Sequence, residues 1–296
     1  MKLSLDKIVF LLKYQKGVFD NVSALPNLEI RKEVYCIGDQ KFYDNNFVIK
    51  DKVFISMNSK VQDSDDFPSD CIRFEFNPNK FDISELGWYL SLFPKREYIK
   101  YNRVDFALDI KKHILPQFFF DKNKRNTHYY FCGGDCETAY LGSQLSDIQY
   151  RIYDKRKEIL KNEKITSEKI AIDKTLFEYF NDNYGLDINY PLYRIEVQLR
   201  KNILYKVDKN FWAGLCYYEC PDISPDALDC KISNYKRYFL GYAMHFGYMP
   251  AIKTLEPHKR KTMQNLMKVS VYDDFYQESI EQFKAYDKKI KHLIGN

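Results

Sequence analysis

The chain has 296 residues, of which 45% are hydrophobic and 29% charged, and 46 basic against 41 acidic side chains give a formal net charge of +5. This length allows one large domain or a large and a smaller one. No stretch approaches the roughly 20 apolar residues of a membrane span and no signal peptide is visible, so we expect a cytoplasmic protein without membrane contact. The small positive excess gives a mild preference for polyanions, so any nucleic-acid surface must come from local clustering of charge.

The first third of the chain alternates apolar and polar residues over short runs, which is typical of strands. The spacing predicts a helix or strand at 3–14 and strands at 31–37, 47–57 and 71–76. Proline cannot donate to a strand ladder, so Pro78 is expected to end the last of these strands.

The middle third combines one helix with four strands. The spacing predicts the helix at 82–93 and strands at 101–110, 127–132, 137–142 and 148–154. Pro94 is expected to stop the helix, and the turn Gly133-Gly134-Asp135 to join the second strand to the third. A helix start is predicted at Lys155.

The last third becomes mainly helical. The pattern predicts a helix at 159–180, a strand at 192–200, a linker at 221–226 and helices at 228–247 and 258–295. These elements predict an α+β protein built on a large curved antiparallel β-sheet, with flanking helices and a helical C-terminal region. We expect residues 1–205 to form one domain and 206–296 a mainly helical C-terminal region.

Four predicted strands repeat one motif: an arginine, one apolar residue, and then a glutamate, an aspartate or a tyrosine. The four copies are Arg73-Phe74-Glu75, Arg103-Val104-Asp105, Arg151-Ile152-Tyr153 and Arg194-Ile195-Glu196. Side chains two residues apart on a strand point to the same face, so each arginine lies beside its partner. Phosphate contact and structural ion pairing are equally open for the four arginines.

The three carboxylates of this motif, Glu75, Asp105 and Glu196, are hard oxygen ligands that suit Mg²⁺ or Mn²⁺. The alternative is that they form arginine–carboxylate pairs on a solvent-facing sheet surface. The histidines form no His-apolar-His doublet, which disfavours a nuclease that holds its metal with paired histidines.

Tyr153 is the candidate nucleophile, although a phenol with a pKa of about 10 is ionised in only about one molecule in a thousand at neutral pH. A metal ion, Arg151 or Lys155 could stabilise negative charge on it. The alternative is simple packing in a tyrosine-rich chain. Arg156 and Lys157 follow directly, and this basic run suits backbone phosphates or a solvated helix face.

Five phrases, in this order, resemble the Rep_trans family, which contains the replication initiators of staphylococcal-type rolling-circle plasmids and relatives from integrative elements and filamentous phage. The resemblance covers about residues 70–205. The phrases are Arg73-Phe74-Glu75-Phe76-Asn77-Pro78-Asn79-Lys80, Arg103-Val104-Asp105-Phe106-Ala107-Leu108-Asp109, Glu137-Thr138-Ala139-Tyr140-Leu141-Gly142, Arg151-Ile152-Tyr153-Asp154-Lys155 and Arg194-Ile195-Glu196-Val197-Gln198-Leu199.

The resemblance implies that Tyr153 attacks one DNA strand, becomes linked to the 5′ phosphate and frees a 3′-hydroxyl that primes replication. It also implies a divalent metal, Mg²⁺ or Mn²⁺, on Glu75, Asp105 and Glu196. By the same resemblance, 1–205 is expected to be the catalytic nicking and joining domain, and 206–296 to help in origin recognition or dimer contacts. The expected partners are double-strand origin DNA (cruciform or single-stranded at the nick), a second copy in a homodimer, and a host helicase. Asp154 departs from the asparagine of the plasmid proteins and adds a charge beside the nucleophile.

Two other functions fit the same motifs. A relaxase of a conjugative or integrative element would use the same nicking and joining chemistry for transfer. A non-catalytic DNA-binding protein would keep the sheet and lose the reaction, although the occurrence of all four motifs together argues against it.

Overall fold

The computed structural model describes residues 1–13, 28–31, 38–50, 52–60, 71–91, 97–123, 126–143, 146–162, 178, 181–182, 191–200, 207–219, 234–264 and 269–294. The predicted α+β class is confirmed: a large antiparallel sheet of ten strands is accompanied by helices, several of them in the C-terminal region. Within these ranges, no helix is long and apolar enough to cross a membrane.

The strands of the large sheet come from the first two thirds of the chain. They are β1 (Lys2–Lys13), β2 (Leu28–Arg31), β3 (Tyr43–Ile49), β4 (Val53–Ser59), β5 (Cys71–Phe76), β6 (Glu97–Ile110), β8 (Thr127–Cys132), β9 (Asp135–Leu141), β10 (Ile148–Asp154) and β11 (Tyr193–Arg200). Their order in the sheet is β2-β3-β4-β5-β1-β6-β11-β10-β9-β8. Neighbours in sequence pair as hairpins at both ends of this order, and the β8–β9 hairpin is the one that the Gly133-Gly134-Asp135 turn predicted.

A second, three-stranded sheet has the order β13-β12-β7, with β7 at Phe119–Asp121, β12 at Leu215–Tyr218 and β13 at Val269–Val271. The helices of the described ranges are α1 (Ile83–Ser91), α2 (Lys155–Asn162), α3 (Asn234–Phe246), α4 (Tyr248–Lys253), α5 (Pro257–Gln264) and α6 (Phe275–Ile294). Two aspartates fix helix starts: Asp82 Oδ1 accepts the N–H of Ser84 at the start of α1, and Asp154 Oδ1 accepts that of Lys157 at the start of α2, both at 2.9 Å.

Two element predictions were wrong within the described residues. The single strand at 47–57 is a hairpin of β3 and β4, because the chain turns at Lys50, whose φ is +48°. The single helix at 258–295 is interrupted by β13, which pairs antiparallel with β12. Three other predicted elements extend outside the described residues, at 32–37, 163–177 and 221–226.

The chain packs as two compact units, each with its own contacts. The first, called here the Glu75 unit, contains Ser4–Phe106, Gln198–Asn210 and Tyr276–Asn296. The second, called the Tyr153 unit, contains Met1–Leu3, Ala107–Val197 and Phe211–Phe275. The functional division at residue 205 stays a prediction, because packing does not report which residues carry catalysis or origin recognition.

Aromatic side chains form much of the core of each unit. In the Glu75 unit, the rings of Phe10 and Phe74 stack at 5.3 Å between centroids. In the Tyr153 unit, the ring centroids of Tyr248, at the start of α4, and Tyr218 of β12 are 4.0 Å apart. This contact packs the helices against the small sheet. Rings of this size bury large apolar areas and dominate core stability.

Gly247 is the position where this packing leaves no room for a side chain. Its φ is +90°, and a Cβ built on it would lie 2.2 Å from Cε2 of Tyr129 on β8. We therefore expect Gly247→Ala to lower the free energy of unfolding by about 3 kcal/mol, through backbone strain and steric overlap together.

Gly241, in the middle of α3, is the matched control because a Cβ there meets no atom within 4 Å. Gly241→Ala should raise stability by about 0.5–1 kcal/mol, since alanine is the better helix former. Urea unfolding followed by circular dichroism measures both variants, and equal stabilities would contradict the close approach of Tyr129 to Gly247.

Candidate active site

The first arginine–carboxylate pair of the Glu75 unit lies on β5. Arg73 Nη2 is 2.6 Å from Glu75 Oε2, and Lys7 Nζ on β1 donates to Glu75 Oε1 at 2.6 Å. Val9 of β1 lies opposite Glu75, so Lys7, two residues away, reaches the same face. Every residue of β5 is buried, and Arg73 is only 1% exposed. A charge this deeply buried needs an opposite charge beside it.

Both partners of Glu75 favour its ionised form. Burial by itself would raise the pKa of the Glu75 carboxyl, but Arg73 and Lys7 lower it to about 2. Asp39 adds a second carboxylate near the guanidinium of Arg73, at 3.6 Å from Nη2. Arg73 Nε and Nη1 are buried and donate no hydrogen bond to any group among the described residues.

The second pair of this unit lies on β6. Arg103 Nε and Nη2 donate to Asp105 Oδ1 and Oδ2 at 2.7 and 2.5 Å, so the guanidinium holds both carboxylate oxygens. Asp105 is buried, and a two-pronged contact of this kind is among the stronger ion pairs in proteins. For Arg73 and Arg103 the structure therefore shows the ion pairing that the sequence left open, in a buried setting.

Tyr153 lies near the end of β10, in the Tyr153 unit. Its hydroxyl donates a hydrogen bond of 2.7 Å to Oε1 of Glu196, and the residue is 2% exposed. Burial, followed by the charges of Glu196 and Glu158, raises the pKa of the Tyr153 hydroxyl well above its ordinary value. The phenol is therefore neutral, and it has a carboxylate placed to accept its proton.

Arg151 links the tyrosine to both of these carboxylates. Its Cζ lies 4.0 Å from the centroid of the Tyr153 ring. Nη1 is 3.6 Å from Glu196 Oε2 and Nη2 is 3.5 Å from Glu158 Oε1. One guanidinium thus offsets the negative charge that surrounds the hydroxyl.

The basic run after Tyr153 forms the first turn of α2. The N–H groups of Lys155 and Arg156 donate to the carbonyl oxygen of Leu192 at 2.9 and 3.2 Å, which anchors the helix start beside β11. The ammonium of Lys155 forms an ion pair with Glu158 and lies 5.8 Å from the centroid of the Tyr153 ring.

Lys157 differs from Lys155 in facing the β8–β9 hairpin. Its Nζ lies 3.7 Å from Asp135 Oδ2 and 3.8 Å from Glu137 Oε1, and the side chain is 42% exposed. Exposed contacts of this length are weak, so the ammonium is available to exchange them for a phosphate.

Arg194 of β11 pairs with an aspartate on another strand, Asp109 of β6. Its Nε and Nη2 donate to Asp109 Oδ1 and Oδ2 at 2.6 and 2.8 Å. All four motif arginines thus have a carboxylate partner within their own unit.

A cavity of about 480 Å³ lies next to the tyrosine in the Tyr153 unit. Charged side chains of both signs share its lining, among them Arg151, Lys157, Lys161, Glu137 and Glu158. Tyr153 itself and Thr138 also line the cavity. The cavity is large enough for a phosphate group with its sugar, and its basic residues suit such an anion.

The predicted metal ligands are carboxylates with suitable chemistry, but each is engaged with protein groups. Glu75 contacts Lys7 and Arg73, Asp105 contacts Arg103, and Glu196 contacts Tyr153 and Arg151, as given above. Across the part of the chain that the structure describes, no three His, Cys, Asp or Glu side chains are grouped closely enough to hold one metal ion. The arrangement seen here therefore does not form a closed metal site, and the ligand assignment stays a prediction.

Several residues of these networks could not be found from the motif alone. Lys7 lies 68 residues from Glu75 and Asp39 lies 34 residues from Arg73, while Glu158 lies seven residues from Arg151 and on the helix that follows its strand. Their only sequence signal is a charge on a predicted strand or helix, which is too common to single them out. Lys7 reaches Glu75 because β1 pairs with β5, and no sequence motif predicts that pairing.

No family model matches the chain. A curated Staphylococcus aureus protein named "Replication initiation protein" is 28% identical over 193 residues, which are 62% of this chain and 60% of that relative. A second protein of that name and organism is 26% identical over the same shares. The chain thus spans about 60% of the length of the curated relatives it matches. The resemblance to replication initiators that the strand motifs predicted is confirmed by these relatives.

One solved structure, "Structure of Rolling Circle Replication Initiator Protein from Geobacillus stearothermophilus", is also similar to the chain. It is 15% identical, with a TM-score of 0.37, and the match covers 83% of this chain and 98% of that one. A TM-score this low carries no argument about fold or function.

Glu75 provides a pH test of the buried ion pairs. The pKa of its carboxyl is lowered from 4.5 to about 2 in the folded chain. The stabilisation that the ionised carboxylate gives the fold is therefore complete above about pH 4.5 and is lost as the pH falls toward 2. Below about pH 4.5 we expect the unfolding free energy of the wild type to fall by up to about 3 kcal/mol from this group. Glu75→Gln should be less stable at neutral pH and should show a shallower decline in acid.

Urea unfolding at several pH values from about 6 to about 3 measures this slope. Glu281→Gln, which removes an exposed carboxylate on α6, is the control and should keep the wild-type slope. An unchanged slope for Glu75→Gln would mean that its carboxylate is not held by Arg73 and Lys7.

Proposed function

We propose that this protein is a rolling-circle replication initiator that nicks one strand of origin DNA and rejoins it through a covalent phosphotyrosine. The observation that carries the proposal is the hydrogen bond from the Tyr153 hydroxyl to Glu196 beside a cavity with basic residues. The similarity to curated replication initiation proteins supports the same function.

In the proposed step, the Tyr153 oxygen attacks the phosphorus of a DNA phosphodiester, and the bond to the 3′ oxygen breaks. The phenolic proton passes to Glu196, which acts as general base, and the released 3′ oxygen takes up a proton to become a hydroxyl. The raised pKa of Tyr153 supports this order, because a neutral phenol must lose its proton as it attacks. Glu196 was predicted as a metal ligand, and the hydrogen bond favours the role of base for it.

Arg151 and Lys157 are the residues that we propose for the phosphate oxygens, since both line the cavity beside the hydroxyl. Their positive charge would stabilise the extra negative charge of the transition state. Rejoining is the reverse reaction: a 3′-hydroxyl attacks the phosphotyrosine and Glu196 returns the proton to Tyr153. The phosphotyrosine conserves the energy of the broken bond, so no nucleotide cofactor is required for this step.

A divalent metal, Mg²⁺ or Mn²⁺, remains part of the proposal through the resemblance. Glu75 and Asp105 are its proposed ligands, whereas Glu196, the third residue of the predicted ligand set, is proposed as the base. A bound cation would neutralise charge on the scissile phosphate. Origin DNA, a second copy of the chain and a host helicase are proposed as partners on the same ground. A relaxase would use identical chemistry, and an adjacent gene for a coupling protein, rather than a plasmid origin, would favour it.

Tyr153→Phe should abolish the covalent protein–DNA adduct and reduce nicking of supercoiled origin DNA at least about a thousandfold, because the nucleophilic oxygen is lost. The cost in stability should be about 1 kcal/mol, the value of one hydrogen bond. Denaturing gel electrophoresis of labelled DNA detects the adduct, and agarose electrophoresis detects the nick.

Tyr140→Phe is the control, because Tyr140 lies opposite Arg151 on β9 but donates no proton in the proposed reaction. Its activity should stay within about threefold of the wild type, which is the range of a conservative change outside the reacting groups. Equal adduct formation by Tyr153→Phe and the wild type would remove Tyr153 as the nucleophile.

Metal titration of nicking separates the roles of the three carboxylates. A variant that loses a ligand, Glu75→Gln or Asp105→Asn, should need at least about tenfold more Mg²⁺ or Mn²⁺ for half-maximal activity. Glu196→Gln should instead lower the maximal rate by about a hundredfold or more at saturating metal, as loss of a general base does. Full metal-dependent nicking by any one of these variants would exclude that residue from the proposed site.

A further inference from the structure

Helix α3 exposes a row of aromatic rings along one face. Tyr235, Tyr238, Tyr242 and Phe246 are spaced by three, four and four residues, and this places them on one side of a helix. Tyr238 is 78% exposed and Phe246 55%, although large aromatic residues are usually buried. The rings of Tyr242 and Phe246 lie 4.5 Å apart, so they form one continuous platform.

The helix is nevertheless anchored in the core through its other side. Phe239, Leu240 and Ala243 are buried, and Phe239 packs edge-on against Tyr248 of α4. The exposed rings are therefore not the face by which α3 is held in the fold.

The excess of basic over acidic residues lies in the same segment. Residues 234–264, which span α3, α4 and α5, contain six Lys or Arg residues and one acid, Glu256. The whole chain has 46 basic and 41 acidic side chains, so the remaining residues have 40 of each. The net charge of +5 is thus the net charge of this segment alone.

One of these basic residues also reaches the aromatic row itself. Lys259 of α5 places its Nζ 5.6 Å from the centroid of the Tyr235 ring and 3.1 Å from Glu256. The one acid of the segment is therefore already neutralised by a neighbour, which leaves a surface that attracts polyanions.

We propose that this aromatic–basic surface, formed by the four rings and the Lys and Arg residues of 234–264, binds single-stranded DNA. Every base has a flat face that can stack on tyrosine or phenylalanine, and the phosphates of the same strand suit the lysines and arginines. The row runs for about 16 Å at 1.5 Å per residue, which is room for a few consecutive bases.

A single strand fits better than a duplex, because paired bases are stacked on one another and cannot reach the rings. The inference depends on the proposed function only for the choice of DNA: a nicking reaction that frees a 3′ end generates unpaired strand. The stacking site itself is separate from Tyr153 and its cavity, since no residue of the aromatic row lines that cavity.

The test is fluorescence anisotropy with a labelled oligothymidine of about 16 nucleotides, and a duplex of equal length for comparison. Tyr238→Ala combined with Tyr242→Ala should weaken oligothymidine binding by about tenfold or more, and duplex binding much less, because each lost ring removes one stacking partner. Tyr238→Phe combined with Tyr242→Phe should keep the affinity within about twofold, since stacking requires the ring and not the hydroxyl.

Trp88→Ala is the matched control, because Trp88 of α1 is 50% exposed and lies outside the segment. It should leave the affinity unchanged. Equal oligothymidine binding by the double alanine variant and the wild type overturns the proposal. The proposal is also overturned if sedimentation shows that the double alanine variant loses self-association while its DNA affinity is unchanged. That result would assign the rings to an interface between copies of the chain.

The same assays keep this inference apart from the proposed function. Tyr153→Phe should retain wild-type oligothymidine affinity while it loses the covalent adduct. If the wild type forms no adduct but the double alanine variant still loses affinity, nicking is wrong and the single-strand surface stands.

Discussion

Charge that is buried on a β-sheet must be neutralised by a neighbour, and this requirement shapes both units of the protein. In the Glu75 unit, Arg73 is almost completely enclosed, and it is tolerated there because Glu75 and Asp39 lie beside it. Removal of one partner from such a buried pair typically costs about 3–5 kcal/mol, because the other charge stays behind without compensation. These pairs therefore constrain which substitutions the strands accept, whatever their part in catalysis.

The same requirement gives Tyr153 its chemical character. A buried phenol surrounded by Glu196 and Glu158 holds its proton firmly, and Arg151 keeps the local charge balanced. A neutral phenol does not react as a nucleophile until a base accepts its proton. Glu196 supplies that acceptor at hydrogen-bond distance, so the protonation state and the position of the Tyr153 hydroxyl depend on one contact.

Charge outside the strands is distributed in a different way. The acids and bases of most of the chain cancel, and the excess lies in residues 234–264 beside exposed rings. Two kinds of basic residue thus have distinct surroundings: arginines locked in buried pairs on the sheet, and lysines and arginines exposed on helices. Only the second kind can bind a long anion without first breaking a buried pair, because its side chains are already solvated.

The sequence by itself determined several strands of the large sheet, the motif and the candidate nucleophile. Period-two alternation placed β8, β10 and β11 within about two residues of their observed ends, because alternation reports directly which side of a strand is buried. It also predicted that Arg73 lies beside Glu75 and Arg103 beside Asp105, because residues two apart on one strand share a face. Local patterns of this kind need no knowledge of the rest of the chain.

Only the tertiary structure decided the partners that come from other elements. Arg194 pairs with Asp109 rather than with its motif partner Glu196, and Glu196 accepts the hydrogen bond of Tyr153 from another strand. The strand β13, hidden in a predicted helix, exists because β12 offers it a ladder. In each case the choice depends on which strands become neighbours and in what register. That is set by packing over long sequence separations, and no local spacing records it.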